Sequence, residues 1–188
     1  LAFERFKAAA YPASGYHTPT IGWMADLQRM TIDDLRHWYE SWYAPNNATL
    51  VVVGDVTADE VKTLAKRYFG EIPWRQLPPA RKPLELAEPG ERRLKLYVRT
   101  QLPNLIMGFN VPSLGSSENP REVNALRLIG ALLDGGYSAR LASRLERGEE
   151  LVAGASTYYD AFNRGDSLFV LSATPNVQKG KTLEQVEA

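Results

Sequence analysis

Histidine is both a base near neutral pH and the commonest metal ligand, so the two histidines come first. His17 lies in a loop rich in proline and glycine, and His37 lies on a helical stretch 20 residues further on. Neither sits in an H-x-x-x-H, H-E-x-x-H or H-x-x-E-H frame, the spacings that carry two ligands on one helix. A zinc site built from this chain alone would have to pair these distant histidines with a carboxylate. The plainer reading is that both are structural or surface residues. There are no cysteines, which removes disulfides, thiolate-held metals and thiol nucleophiles together without fixing the compartment.

The other chemistry-bearing types are equally scattered. Gly135-Gly136 precedes a helical stretch, but no G-x-x-x-x-G-K-[ST] or G-x-G-x-x-G surrounds it, so a tight helix–helix turn is the simpler reading than a phosphate cradle. Ser138 and Ser143 have no G-x-S-x-G context. Trp38, Tyr39, Trp42 and Tyr43 could stack a ligand, although that spacing more often marks a helix face packed on a sheet. Glu149-Glu150 reads as a solvated turn. The residues themselves therefore nominate no catalytic, metal-binding or substrate-binding side chain.

The elements that would position such residues read more clearly. Leu1 to Ala10 has Phe3, Phe6 and Ala10 on one helical face. Thr31 is placed to cap a helix whose first turn holds Asp33 and Asp34, where the helix dipole favours acids. Leu35, Trp38, Tyr39, Trp42 and Tyr43 follow at amphipathic spacing until Pro45. Ala48 to Gly54 is a β-branched run expected to be a strand buried on both faces. Thr57-x-x-Glu60 is a capping box, opening a helix that ends at Gly70. Arg93 to Arg99 alternates apolar and charged residues like a strand, and Asn104 to Val111 reads as another. Asn119-Pro120 starts a helix running to Gly135, and Ser138 to Arg147 predicts a shorter one. Leu151 to Ala161 and Asp166 to Thr174 are expected to pair as strands, with a last helix starting near Pro175. This order is α+β rather than a βαβ repeat.

Residues 73 to 89 hold five of the twelve prolines and little that could enter a core, the composition of an extended connector. Hydrophobic residues make up 44% and charged residues 23%, and Lys+Arg and Asp+Glu each number 22. That balance gives nucleic acid little to bind. The longest apolar run, Thr49 to Val53, is far short of the roughly 20 residues that span a bilayer. The opening residues, through Lys7, carry three charges and are not a signal peptide. Both ends fall inside helical patterns and are expected to be cut from a longer chain.

Four stretches in order resemble the pitrilysin/insulinase family of zinc peptidases, especially its mitochondrial-processing-peptidase-like bacterial members. They are Tyr16-His17-Thr18-Pro19-Thr20-Ile21-Gly22; Met30 to Leu35 leading to Trp42-Tyr43-Ala44-Pro45-Asn46-Asn47-Ala48; Leu50-Val51-Val52-Val53-Gly54-Asp55-Val56 with the capped helix ending Tyr68-Phe69-Gly70; and Leu132 to Leu141, with its Gly135-Gly136. The resemblance implies a two-layer sheet-plus-helices domain of the processing-peptidase-like type, preceded by the last helices and strand of a related domain. On that division, 1–72 ends the first, zinc-bearing domain, 73–92 is the linker and 93–188 begins the second, non-catalytic domain.

The resemblance also implies zinc in the parent protein, held by two histidines of an H-x-x-E-H helix and a distant glutamate, all expected upstream of Leu1. Glu4 is not expected to be that glutamate, and no ligand is expected in this chain. Many members hold the scissile substrate with an Arg and a Tyr seven residues apart in a zinc-free half. The matching positions here are Glu146 and Ala153, so the pair is absent. The implied parent is a zinc-bearing metalloendopeptidase subunit that cleaves extended peptides beside a homologous partner subunit, and the present chain is expected to be inactive alone. The alternative is a catalytically inactive homologue acting as a structural or partner subunit. Bacterial members are often exported, which makes the periplasm the expected compartment.

Overall fold

The computed structural model describes residues 1–87 and 90–188. Glu88 and Pro89, both assigned above to the connector, lie outside the described residues. The chain divides into two compact units, one formed by Leu1–Ile21 with Lys82–Ala188 and the other by Gly22–Arg81. The fold class is α+β, combining helices with one three-stranded antiparallel sheet among the described residues.

The larger unit is organised by that sheet. Strands β1 (Leu105–Val111), β2 (Val152–Tyr159) and β3 (Ser167–Pro175) lie in the order β1-β3-β2. The central strand pairs Phe109 with Phe169 on one side and Tyr158 with Val170 on the other. Flanked by both neighbours, β3 carries the most continuous apolar run, and Ser167, Leu168, Phe169 and Val170 are all buried.

Alternate residues of β3 face opposite sides of the sheet. Leu168 and Val170 meet Tyr11, with Phe6, Ala10, Tyr16 and Ile106 packed around them. This brings helix α1 (Ala2–Ala10) and the loop after it onto one face. Gly108, opposite Val170, is glycine because Phe6 occupies the space beside it: a Cβ there would lie 2.4 Å from the phenyl Cζ. Phe169 points to the other face, near Tyr159 and Gly130. Gly130 belongs to α5 (Pro120–Asp134), the longest helix, whose Val123 is fully buried.

Local signals in the sequence set the helix ends. Asn119 caps α5, accepting from the Arg121 N–H, with Pro120 in its first turn. Gly135 ends it, since a Cβ there would meet the Ala131 carbonyl oxygen at 2.2 Å. Gly136 follows with φ +125°, a conformation that favours glycine. The shorter helix expected over Ser138 to Arg147 is present as Leu141–Glu146, wound as a π-helix. The last helix, α6 (Leu183–Glu187), begins later than Pro175 because β3 extends to that proline and a 3₁₀ turn, Val177–Lys179, intervenes.

The smaller unit contains α2 (Met24–Leu27), α3 (Ile32–Trp42) and α4 (Ala58–Phe69). Both long helices start with reciprocal capping boxes, Thr31 with Asp34 and Thr57 with Glu60. These carboxylates sit below their ordinary range, chiefly through side-chain and backbone hydrogen bonds from the cap threonines.

Two expected strands are not strands. Ala48 to Gly54 and Arg93 to Arg99 both run outside any sheet. The physical reason is pairing: a strand needs a neighbour for its N–H and C=O groups, and neither segment has one among the described residues. Val53 is consequently 93% exposed instead of buried on both faces.

Candidate functional site

The side chains that could carry chemistry are dispersed by the fold. His17 closes the 3₁₀ turn Gly15–His17 in the larger unit, half-buried, while His37 is exposed on α3 in the smaller unit. Among the described residues no group of three or more His, Asp or Glu side chains is placed to hold a metal ion. Glu4 lies exposed in the first turn of α1. Ser143 donates to the Arg140 carbonyl at 3.3 Å. Glu150 adopts φ 49° in an exposed turn and pairs with Lys179 at 3.1 Å, which fits the solvated turn read from the sequence.

An open concavity lies on the smaller unit. Trp38, Tyr39 and Trp42 of α3, with Tyr43 just after it, line a hollow of about 540 Å³ together with Phe69, Ile72 and Arg75. Tyr39 and Tyr43 stack with ring centroids 4.6 Å apart, and Trp38 meets Tyr43 edge-on at 5.6 Å. Asn46 and Arg75 exchange hydrogen bonds beside the hollow. The Asn46 amide donates to the Arg75 carbonyl at 3.0 Å and accepts from the Arg75 N–H at 3.2 Å. The Arg75 guanidinium also donates to the Glu40 carbonyl at 2.8 Å, tying the tail to the end of α3.

Such a hollow can hold apolar or aromatic groups by packing. It has no acid–base pair and no nucleophile. The aromatic row was expected to pack on a sheet, yet Trp38, Tyr39 and Tyr43 are all more than half exposed. The only sheet among the described residues belongs to the other unit, so no strand of the smaller unit covers them.

In the larger unit the polar side chains serve the architecture. Glu85 accepts from the backbone N–H groups of Ala13 at 3.1 Å, Ser14 at 3.0 Å and its neighbour Leu86 at 2.7 Å. Its burial opposes ionisation, but those N–H groups and the Arg92 charge outweigh it and hold the carboxyl below its ordinary range. Burial pushes the Tyr11 phenol well above its usual range, with Tyr16 and nearby acids adding to the effect. The Tyr16 hydroxyl accepts from the Arg164 and Gly165 N–H groups.

Glu146 and Ala153 are not brought together as a substrate clamp. Glu146 closes the π-helix and accepts from the Ala155 N–H at 3.0 Å, while Ala153 sits at the irregular start of β2. Arg147, next to Glu146, donates to the Tyr137 carbonyl and lies 3.9 Å from the centre of the Tyr137 ring. No signal in the sequence pointed to this arrangement, because the partners are joined only by the turn between α5 and β2.

Residues 29–188 match the peptidase M16 inactive domain. The chain is 27% identical to the zinc protease PqqE of Helicobacter pylori over 192 residues, covering 99% of this chain and 42% of that protein. A shorter stretch of 53 residues is 40% identical to the probable zinc protease PqqL of Escherichia coli, covering 28% of this chain and 6% of that protein. Among solved structures, a protease from Helicobacter pylori superposes with a TM-score of 0.77 at 28% identity, over 94% of this chain and 44% of the other. The chain thus spans less than half the length of these relatives. Its sequence and its fold agree, and the chain belongs to the pitrilysin-like peptidase M16 family, in the part described as the inactive domain.

Proposed function

We propose that this chain is the non-catalytic portion of a zinc metalloendopeptidase that cleaves extended peptides. The observation that carries the reading is its match over 99% of its length to part of a zinc protease, together with the match to an inactive domain. Two dispersed histidines and the absence of cysteine agree with a role apart from the metal. Zinc belongs to the parent protein in this proposal, with its ligands outside this chain. Where the metal is bound, it supplies an activated water and polarises the scissile carbonyl.

The same reading divides the chain into the end of a zinc-bearing domain (1–72), a connector (73–92) and the start of the non-catalytic domain (93–188). The prolines of the connector support that boundary. Glu146 and Ala153, standing where many members hold substrate with Arg and Tyr, favour a parent that works beside a homologous partner subunit. The periplasm is the compartment that goes with this reading, since bacterial members of the family are often exported.

An unstructured peptide incubated with the 188-residue chain and zinc tests the proposal, with the full gene product assayed alongside. The expected result is chelator-sensitive cleavage by the full product and none by this chain. Specific cleavage by this chain, abolished by chelator, overturns it. An inert full product instead supports the second reading, a catalytically inactive structural or partner subunit, which the match to an inactive domain also favours.

A further inference from the structure

The chain leaves the larger unit after Ile21 and returns to it at Lys82. Three segments of the larger unit are tied to one another close in sequence to those crossings. They are the loop 13–17 before the first crossing, residues 83–85 after the second, and the turn 163–165 between β2 and β3.

Each of the three is joined to the other two. The Tyr16 hydroxyl accepts from the Arg164 N–H at 3.2 Å and the Gly165 N–H at 3.3 Å. The Glu85 carboxylate accepts from the Ala13 N–H at 3.1 Å and the Ser14 N–H at 3.0 Å. Pro83 closes the third side, since a Cβ on Gly165 would collide with its carbonyl oxygen. The turn is itself anchored. The fully buried Ser113 donates to the Asn163 carbonyl at 2.8 Å, and the Leu114 N–H donates to the Ala161 carbonyl at 2.8 Å. Tyr16 is aimed by packing edge-on against the buried Tyr11, with ring centroids 5.5 Å apart. These contacts close loops of about 70 residues or more, and once one side has ordered the ends the next side has less chain entropy to overcome. The sides therefore support one another.

We infer that loop 13–17, residues 83–85 and turn 163–165 form a clasp that holds both chain crossings to one anchored point and releases them together. The inference assigns a role to Tyr16 within the Tyr16-His17-Thr18-Pro19 motif, and it makes residues 83–85 part of the larger unit's structure rather than free connector.

Amide hydrogen exchange and limited trypsin digestion of the 188-residue chain test this. Trypsin cuts after Arg81, and the residues that follow must come away from the larger unit to enter the protease. Tyr16→Phe keeps the ring against Tyr11 and removes only the hydroxyl. It is expected to speed exchange at Arg164 and Gly165 roughly tenfold. It is also expected to speed cleavage after Arg81 several-fold, with cleavage after Arg67 in α4 unchanged. Glu85→Ala is expected to speed exchange at Arg164 and Gly165 as well, although its carboxylate binds neither amide. Glu85→Gln keeps an acceptor oxygen and is expected to stay close to the parent chain. If Glu85→Ala loses its circular dichroism signal, Tyr16→Phe decides alone. Unchanged exchange at Arg164 and Gly165 in Tyr16→Phe overturns the inference. So does faster exchange there without faster cleavage after Arg81, or a folded Glu85→Ala variant in which both amides exchange like the parent's.

Discussion

Glu85 shows how one side chain can join stretches that the sequence keeps far apart. It binds N–H groups of Ala13 and Ser14, more than 70 positions away, and fastens the connector to the loop after α1. Hydrogen bonds to a charged acceptor typically contribute about 1.5–3 kcal/mol in a protein. Glu85→Ala is therefore expected to destabilise the larger unit by about 1–2 kcal/mol, measurable by urea denaturation. The folded chain holds this carboxyl below its ordinary value of 4.5. Its contribution is thus present above that value and is lost as the pH falls through the lower folded-state value. A parent chain and Glu85→Ala variant whose stabilities stay equally far apart down to strongly acid pH would contradict this. Gly108 supplies a second check at this scale. Gly108→Ala drives a methyl into Phe6 and is expected to cost about 1–3 kcal/mol, seen as a lower melting temperature.

Helices and strands differed in how much of them the sequence could reveal. Thr57 with Glu60 and Asn119 with Pro120 were legible because a cap and its partners lie within one turn. The strands β1, β2 and β3 were legible as apolar runs, but Ala48–Gly54 and Arg93–Arg99 have the same kind of pattern and are not strands. Alternation and β-branching show which faces a segment can bury; they do not supply the neighbour that completes its hydrogen bonds. Amides of residues 50–53 and 94–98 are accordingly expected to exchange with solvent far faster than those of 168–171. Comparable protection in all three segments would contradict the fold described for them. Thr57→Ala removes one half of a capping box and is expected to cost the smaller unit about 1 kcal/mol, readable as lost helicity on heating.

Across the whole molecule, family membership was legible because several short motifs recur in order, and the match over residues 29–188 bears that out. Of the candidate site, the aromatic row of α3 was legible from its spacing, while its exposure was not. What the sequence could not convey is the division into units. Leu1–Ile21 packs with Lys82–Ala188 through contacts such as Tyr11 against Leu168 and Val170, and contacts of that separation leave no local pattern. The same limit hid Tyr16, whose hydroxyl meets Arg164 and Gly165 only after the chain between them has folded. The central proposal is that the zinc chemistry of the parent lies outside this chain. Titrating zinc into the purified chain against a chromophoric chelator of micromolar affinity tests that proposal most directly. The chelator is expected to keep the metal; stoichiometric transfer to the chain, abolished by His17→Ala or His37→Ala, would contradict the proposal.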